Sequence, residues 1–558
     1  MRAHVWMWMS LLRYASLQHI RPSTRRTRTK GSLRKQAETS AWGCTVGQRS
    51  RGDKNPKNEL TRPPGRSTLS TSLRRVSFSP TQLSNEYIFS QTPSSKNLFA
   101  KETVVQPNST HSLSCHARMT NQSILRALSY ALAARAVWLT LALAAAYTLG
   151  TYDESSYTQR VVPCLQRVLP STTSNQQSST RTQRTFVEIA VIDALRRLVV
   201  WDSVHYLRVA RCGYEYEHQA AFMPLFPSTV AAVARSVATN DESGGVDDED
   251  DAAAIVLAGL VGNAALFCLA AISLLRLARA VGLDDAQTRR AVLLFVVNPA
   301  SPFFTAPLYT ESAYAAAFFT ASAAVAERRW LVAAASLALA SSVRANGAAS
   351  GALLIGVAYA LDVIPWISKE TTRSLGLLDH SNIRVGVATV ARGFARTASL
   401  VVLTALPLIW NERAGVLRYC VGDDAPTWCA ASLPLPYTHA QSAYWGVGPF
   451  RYWQLAQLPN FLLATPAWIA SAAAASSCLR PLHRRAMLPH VAVLVFSTAL
   501  SVVVMHVQVS TRFLCAGSPA LYLGLAMLLP KHFRWVMRWA FVYTFVGTAA
   551  HYSFLPWT

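Results

Sequence analysis

Long uncharged apolar runs are the feature that most constrains the fold of this 558-residue chain. Residues 252–275 contain no Asp, Glu, Lys or Arg, and residues 487–509 are interrupted only by two histidines and a glutamine. A helix rises ~1.5 Å per residue, so each run is long enough to cross a hydrocarbon core of ~30 Å. These runs predict membrane-spanning helices.

The remaining apolar runs predict an all-α polytopic membrane protein with roughly ten to twelve transmembrane helices, although several runs are shorter than the ~18-residue norm. Two basic loops, at 276–290 and 328–329, would both face the cytosol under the positive-inside rule. Simple alternation of the spans does not place both there unless one segment, such as 219–238, is re-entrant. The sequence therefore leaves the number and orientation of the spans open.

The net charge of +24 is concentrated ahead of the first apolar run. Residues 1–120 contain 20 Lys or Arg and only 5 Asp or Glu, and they lack apolar periodicity. This composition favours disorder, and we expect no nucleic-acid partner. We expect residues 1–118 to be a disordered basic extension or a gene-model artefact, with Met119 as a start, and residues 119–558 to form one transmembrane domain.

The nine cysteines and one acidic run bear on metal binding. No CxxC pair is present, which argues against zinc and thioredoxin-like sites. Cys420 and Cys429 flank a polar segment and either form a disulfide in a lumenal loop or remain free thiols. The Asp-x-Asp pattern in VDDEDDAA, at 246–253, lacks the alternating strands and helices of a nucleotide-binding domain, so it predicts a solvated acidic turn. We expect no metal site and no cofactor.

Two polar loops and several interrupted helices predict an enclosed polar site. FVEIAVIDALRRLVV, at 186–200, has helical apolar spacing and predicts an interfacial helix within a structured first loop, near 151–218. A second polar loop is predicted near 411–448. Proline and polar residues also interrupt NPASPFFTAPLYTES, SVRANG and MHVQVSTRF. Interrupted helices at membrane depth are tolerated where they line a cavity.

Asp202 follows Trp201 at the start of WDSVHYLRVA, beside the predicted bilayer surface. Partial desolvation would raise the pKa of such a carboxyl group and suit it to act as a general base. The alternative is that Asp202 caps the following helix. Glu311, at the start of another apolar run, is either a helix N-terminal carboxylate favoured by the helix dipole or a second acid facing the cavity.

The GYEYEH stretch combines aromatic rings with hydrogen-bonding groups. His205, Tyr214, Glu217 and His218 are candidates for binding a sugar, and Trp445 in the second loop joins them. The alternative is an ordinary lumenal loop that its tyrosines anchor.

Polar and cationic residues adjoin the apolar runs in SVRANG and MHVQVSTRF. Arg344 and Asn346 belong to the first motif, and His506, Gln508 and Arg512 belong to the second. The spacing of four between Gln508 and Arg512 predicts a shared helix face. Arginine suits a phosphate ligand because its planar fork donates two hydrogen bonds, whereas a single Arg can also snorkel to the interface.

Six blocks together carry a family resemblance. They are WDSVHYLRVARCGYEYEHQAAFMPLFP, NPASPFFTAPLYTES, SVRANG, AYWGVGPFRYWQLAQLPNFLLATP, MHVQVSTRFLCAGSPALY and the terminal FLPWT. In this order they resemble the PIG-V family, the GPI mannosyltransferase 2 enzymes. The resemblance covers the chain from about Met119 to its last residue.

The resemblance implies a GT-C-like bundle in the endoplasmic reticulum membrane, with a lumenal active site. It implies transfer of the second mannose, in α-1,6 linkage and with inversion, from dolichyl phosphate mannose to mannosyl-glucosaminyl-phosphatidylinositol. Asp202 would be the catalytic base. Arg344 and Arg512 are candidates to hold the donor phosphate. Membrane lipids and a small accessory membrane subunit are the other expected partners.

Two other functional classes are weighed against this one. A membrane transporter would show paired internal repeats, and none is recognisable between the two halves of the sequence. A non-catalytic membrane scaffold would explain the apolar runs but not the acidic and aromatic first loop.

Overall fold

The computed structural model describes residues 120–150, 164, 185–237, 248–376, 380–422, 425–480, 484–528, 530–555 and 557. Every regular element within these ranges is a helix, so the all-α prediction is confirmed there. The expectations for residues 1–118, and for most of the first polar loop before Thr185, lie outside the described residues.

The helices are named here in chain order. They are α1 Asn121–Thr148, α2 Phe186–Arg197, α3 Asp202–Cys212, α4 Leu225–Val237, α5 Asp248–Ala280, α6 Asp285–Val296, α7 Ser301–Thr305, α8 Glu311–Ala326, α9 Trp330–Val343, α10 Asn346–Gly376, α11 His380–Tyr419, α12 Pro436–Trp445, α13 Leu458–Cys478, α14 Arg484–Val503, α15 Ser510–Gly517, α16 Pro519–Ala526 and α17 Pro530–Tyr552. Short 3₁₀ turns occupy Glu217–Ala221, Thr427–Ala430, Leu455–Gln457 and Val507–Val509.

Five described helical segments are long and apolar enough to cross a membrane. They are Asn121–Thr148, Asp250–Ala280, Ala391–Tyr419, Leu455–Cys478 and Arg485–Val503. Two further apolar helices, α4 and α9, are shorter. These helices support a polytopic membrane protein, and the number of ten to twelve spans stays a prediction.

The helix break predicted in NPASPFFTAPLYTES is present, and it brings backbone into the interior. The break lies between α7 and α8, where Pro307 has no N–H to donate. Asn263 of α5 donates from Nδ2 to the carbonyl oxygens of Ala306, Pro307 and Tyr309, at 2.9, 3.0 and 2.9 Å. Because an unpaired carbonyl at membrane depth costs several kcal/mol, Asn263 makes the break tolerable. Glu311 begins the buried helix α8, and Tyr309 lies in the break just before it.

Gly259 permits the close approach of α5 to this break. A Cβ atom at Gly259 would lie 2.5 Å from the carbonyl oxygen of Pro307. Any larger side chain would push the break away from α5, so the contact requires glycine.

The first loop contains the predicted amphipathic helix. In α2, Thr185 and Glu188 form a reciprocal capping box that fixes the start of the helix. Its apolar residues at the N-terminal end point outward and are exposed: Phe186, Val187, Ile189 and Val191. Residues 186–191 are all exposed, Glu188 included, so the apolar side chains of this half of the helix are accessible to a membrane surface.

Three boundaries differ from the sequence-based expectations. The apolar run at 219–238, a candidate span or re-entrant segment, forms the end of a 3₁₀ turn and the 13-residue α4 in its described residues. The acidic run predicted as a turn is helical from Asp248, and Asp251 lies 3.5 Å from the Arg211 guanidinium. The prediction of an acidic turn was therefore wrong for the described residues of that run. The second loop begins later than residue 411, because α11 continues to Tyr419.

Each of the two polar loops contains one disulfide bond. Cys420 and Cys429 are paired, which answers the question that the sequence left open. Cys164 and Cys212 form a second pair that sequence reasoning missed, because their separation of 48 residues carries no spacing signal. The second pair ties residue 164 of the first loop to the end of α3. The free cysteines among the described residues are buried: Cys268, Cys478 and Cys515.

Candidate active site

A cavity of about 410 Å³ lies where the interrupted helices meet the two polar loops. Its walls come from the start of α3, the α7–α8 break, the turn between α9 and α10, α12, the turn before α15 and the C-terminal residues. The polar and aromatic lining side chains include Trp201, Asp202, Tyr206, Phe222, Phe303, Tyr309, Arg344, Asn346, Tyr437, Trp445, His506, Gln508, Arg512, His551 and Trp557.

Two carboxylates and two guanidinium groups form a charge cluster at this cavity. Arg512 Nη1 lies 2.6 Å from Asp202 Oδ2 and 3.7 Å from Glu311 Oε1. Arg344 Nη1 lies 2.6 Å from the same Glu311 oxygen. The four formal charges sum to zero, so the cluster has no net charge to attract an ion. Each guanidinium group nevertheless borders the cavity and can turn donors toward an anion there.

The two carboxylates occupy different positions in the cluster. The Glu311 side chain is 0% exposed and does not line the cavity, whereas the Asp202 side chain is 31% exposed and does. Glu311 therefore holds both guanidinium groups from behind, and Asp202 faces the space that a substrate would fill. Of the two sequence-based alternatives for Glu311, the helix N-terminal carboxylate agrees with its position at the start of α8, and the acid facing the cavity does not, because the side chain pairs with the arginines behind the wall.

The backbone before α3 fixes the direction of Asp202. Trp201 has φ 51°, in the left-handed region that costs a non-glycine residue ~1–3 kcal/mol. Its indole Nε1 donates to the carbonyl oxygen of His551 at 3.2 Å, and its ring packs on Phe554. The Asp202 N–H donates to the Tyr309 hydroxyl at 3.2 Å. The strained residue is thus held by contacts from two other parts of the chain, the C-terminal segment at 551–554 and Tyr309.

Asp202 does not cap α3. It is the first residue of the helix, no side-chain cap is present, and its carboxylate pairs with Arg512 instead. Burial raises the pKa of Asp202, but the Arg512 guanidinium group opposes burial, and the pKa lies below its usual value of 3.8. The prediction of a raised pKa was therefore wrong, because nothing in the sequence placed Arg512 within 2.6 Å. The carboxylate is ionised at neutral pH and can accept a proton.

Most of the predicted site residues meet at the cavity. Asp202 is joined there by Trp201, Arg344, Asn346, Trp445, His506, Gln508 and Arg512. The Asn346 Nδ2 donates to the Tyr314 hydroxyl at 2.8 Å, and the His506 ring lies 4.1 Å from that of Tyr452. The shared helix face predicted for Gln508 and Arg512 is wrong, because Gln508 lies in a 3₁₀ turn and Arg512 lies in α15.

The remaining predicted residues, His205, Tyr214, Glu217 and His218, lie beside the cavity rather than on its wall. His205 stacks on Phe222, which lines the cavity. The Tyr214 hydroxyl donates to the Phe222 carbonyl oxygen at 2.5 Å, so this tyrosine anchors the loop. Glu217 pairs with His439, 2.6 Å away in the second loop.

Burial makes both loop histidines weak bases. It lowers the pKa of His205 despite the nearby Asp202 charge. Burial, together with the neighbouring His205, lowers the pKa of His218 to about 4. Both rings are therefore neutral near pH 7.

Several aromatic lining residues were missed by sequence reasoning. The rings of Phe303 and Tyr309 lie 5.2 and 5.6 Å from the Arg512 guanidinium carbon, and His551 packs against both rings. Trp557 lines the cavity from the C-terminal end. Two sequence signals pointed to these residues: Tyr309 stands two residues before Glu311, and Trp557 belongs to FLPWT, one of the blocks that carry the family resemblance. Neither signal distinguished them, because single aromatic residues in apolar runs are ordinary core residues.

One group of potential metal ligands is present among the residues that the structure describes. It comprises Cys164, Cys212 and Glu215. The two sulfur atoms are bonded to each other, so neither can ligate as a thiolate. This group therefore does not indicate a metal site.

Comparisons with known proteins agree with the geometry. Residues 158–558 match the family model described as Mannosyltransferase (PIG-V). A protein of Drosophila pseudoobscura pseudoobscura named GPI mannosyltransferase 2 is 30% identical over 416 residues, which cover 66% of this chain and 88% of that protein. The Mus musculus GPI alpha-1,6-mannosyltransferase 2 is 32% identical over 365 residues, or 59% of this chain and 72% of its own. The Homo sapiens protein of the same name is 30% identical over 379 residues, or 62% and 75%. No solved structure matches the chain.

Proposed function

This chain belongs to the PIG-V mannosyltransferase family, and from that premise we propose that it adds the second mannose, in α-1,6 linkage, to the GPI precursor. Membership makes the chain a glycosyltransferase of GPI-anchor biosynthesis, so the transporter and scaffold alternatives are set aside. The mouse and human relatives, named alpha-1,6-mannosyltransferases, support the linkage. The acceptor would be mannosyl-glucosaminyl-phosphatidylinositol, and the donor would be dolichyl phosphate mannose.

The observation that carries the mechanism is the position of Asp202. It is a carboxylate on the cavity wall, paired there with Arg512, and the Arg344 guanidinium group borders the same cavity. The alternative bases fit less well. Glu311 is fully buried behind the arginines, and Glu217 pairs with His439 away from the wall.

We assign the donor phosphate to Arg344 and Arg512. Their guanidinium groups can each donate two hydrogen bonds to phosphate oxygens, in a site that the surrounding aromatic side chains shield from water. The negative charge on the leaving phosphate grows as the glycosidic bond breaks, and prearranged cations stabilise that charge. Neither residue needs a metal ion for this role.

The reaction would be a single displacement with inversion. The 6-hydroxyl oxygen of the acceptor mannose attacks the anomeric carbon of the donor, and the bond from that carbon to the phosphate oxygen breaks on the opposite face. Asp202 takes the hydroxyl proton, and dolichyl phosphate leaves as an anion that needs no general acid. A β-linked donor would give an α-linked product.

The Asp202–Arg512 pair links donor binding to the basicity of Asp202. When a phosphate takes up donors of Arg512, the carboxylate loses part of its compensating charge while remaining buried. Loss of an opposite charge raises a carboxyl pKa. The bound donor would therefore make Asp202 a stronger base at the moment when a base is required.

The polar groups on the opposite walls would position the sugars. Asn346, His506 and Gln508 all line the cavity and can exchange hydrogen bonds with hydroxyl groups. Trp201 and Trp445 offer apolar faces there. None of these assignments requires a cofactor.

The two disulfides support an active site in the endoplasmic reticulum lumen. Cys212, which pairs with Cys164, is the last residue of α3, the helix that begins with Asp202. Cys420–Cys429 lies in the loop that leads to α12, a helix that lines the cavity. Disulfides persist in oxidising compartments such as the endoplasmic reticulum. If the loops that contain both bridges face the lumen, the cavity that these loops help to line faces it as well.

The test is product analysis in microsomes from cells that lack their own second mannosyltransferase. Expression of this chain should convert the one-mannose glycolipid to the two-mannose form, and an α-1,6-specific mannosidase should remove the added sugar. Co-expression of a small accessory membrane subunit belongs in the same experiment. A glycolipid that stays at one mannose in both arms would refute the proposed function.

A further inference from the structure

Aromatic rings from the two polar loops form a continuous strip that leads outward from the cavity. The strip consists of Trp445, His205, His218, Tyr216 and Tyr444. Trp445 and His205 have ring centroids 6.4 Å apart, and His205 and His218 are 5.2 Å apart. His218 then lies 5.7 Å from Tyr216 and 5.6 Å from Tyr444. The strip therefore connects the cavity wall to the surface.

The outer end of the strip is exposed. Tyr216 is 43% and Tyr444 is 40% exposed, whereas Trp445 lines the cavity. Tyrosines at a membrane interface often serve only as anchors. This strip differs from an anchor because its rings contact one another, edge-on around His205 and stacked at Tyr216, and lead from the surface to the proposed active-site cavity.

Contacts between the loops hold the strip in place before any substrate binds. Glu217 pairs with His439 at 2.6 Å, and the His439 ring stacks on Trp428. The Tyr419 hydroxyl donates to the Tyr216 carbonyl oxygen at 2.9 Å. A surface held in this way loses little conformational entropy on binding.

The strip and the cationic cluster meet at the proposed base. Asp202 pairs with Arg512, and His205 lies three residues further along α3, on the same face of the helix. The arginines suit the phosphate of a donor. The neutral aromatic faces beginning at His205 suit a different ligand, namely a sugar whose C–H faces stack on rings.

We propose that the aromatic strip binds the glycan head of the acceptor, with the reacting sugar at Trp445 and the sugar behind it on His218 and Tyr444. This inference rests on the proposed function. The strip is an acceptor subsite, and its removal should weaken acceptor binding without weakening donor binding. Burial, which lowers the pKa of His218 to about 4, keeps that ring neutral, so it lacks the positive charge that would favour a phosphate over a sugar.

The test is a comparison of Michaelis constants for the two substrates in detergent-solubilised full-length enzyme. Tyr444→Ala should raise the KM for the acceptor about tenfold, a loss of ~1.4 kcal/mol. The KM for dolichyl phosphate mannose and kcat should stay within about twofold of wild type. Tyr444→Phe keeps the ring and should behave as wild type. Tyr130→Ala is the control, because Tyr130 is also 40% exposed but lies on α1 outside the strip.

A second variant covers the case in which Tyr444→Ala does not fold. Tyr216→Ala removes a ring from the other loop, and it should also raise the acceptor KM alone. An unchanged acceptor KM in the folded variants, or an equal rise in both constants, would overturn the inference. A wild type without mannose transfer would instead refute the proposed function, so the two failures are distinguishable.

Discussion

Replacement of Glu311 tests whether the charge cluster is held together from its buried side. Glu311→Gln keeps the shape of the side chain and removes the charge that both Arg344 and Arg512 approach, at 2.6 and 3.7 Å. The Glu311 side chain is 0% exposed and that of Arg344 is 17% exposed, so solvent compensates little of the lost charge. Removal of one partner from a buried pair costs about 3–5 kcal/mol. We expect the free energy of unfolding to fall by that amount.

The assay is urea unfolding of the purified protein in detergent micelles. Asp362→Asn is the matched control, because Asp362 pairs with Arg328 at 2.9 Å while that arginine side chain is 71% exposed. An exposed pair contributes about 0–1 kcal/mol. The double variant Glu311→Gln with Arg344→Gln should lose less than the sum of the single losses, because neither charge is then left alone. A Glu311→Gln loss no larger than that of Asp362→Asn would refute the reasoning.

Three further predictions concern the base, the loops and the packing. Because Arg512 holds the pKa of Asp202 below 3.8, protonation of the base should cost the wild type no activity between pH 7 and about pH 5. Arg512→Gln removes the largest charge that opposes burial and leaves Arg344 as the remaining guanidinium that does so, so the residual activity of that variant should show an acid limb at higher pH in its profile of kcat/KM. A wild-type limb near pH 6 would contradict this. Peptide mapping without reduction should recover Cys164–Cys212 and Cys420–Cys429 as linked pairs, and alkylation of either pair in the unreduced protein would count against the fold of the loops. Gly524→Ala should lower the free energy of unfolding by about 1–3 kcal/mol, because its Cβ would lie 2.3 Å from the Ala474 carbonyl oxygen. Gly356→Ala is the control and should leave the free energy of unfolding unchanged, because the space around Gly356 is open. Equal effects of the two substitutions in the unfolding assay would exclude this packing.

Sequence patterns predicted the parts of the site that depend on local chemistry. Apolar length predicted membrane helices, and an acid beside Trp201 stood out because charge is expensive near a bilayer. The motifs around Arg344 and Arg512 stood out for the same reason. The sequence could not show that Asp202 and Arg512, separated by 310 residues, form one ion pair. The predicted pKa of Asp202 was wrong for this reason, since its direction depends on that pair.

Other features of the site could not be predicted, because the same sequence patterns also occur in residues that have no role in a site. Phe303 and Tyr309 lie in apolar stretches where aromatic residues usually fill a core. A spacing of four indicates a shared face only if one helix spans both residues, and a 3₁₀ turn separates Gln508 from Arg512. The Cys164–Cys212 bridge joins residues far apart in sequence. Each of these features depends on tertiary contacts that no local pattern encodes.

The most direct test of the central claim is the rate of mannose transfer by Asp202→Asn at saturating donor and acceptor. Asp285→Asn is the control, because the Asp285 side chain is 82% exposed and lies outside the cavity. Both variants should reach wild-type levels in the membrane. The account predicts that Asp202→Asn loses about 10²–10⁴-fold in kcat, as expected for removal of a general base, while Asp285→Asn keeps its activity. A kcat for Asp202→Asn within a few-fold of wild type would contradict the assignment of Asp202 as the base.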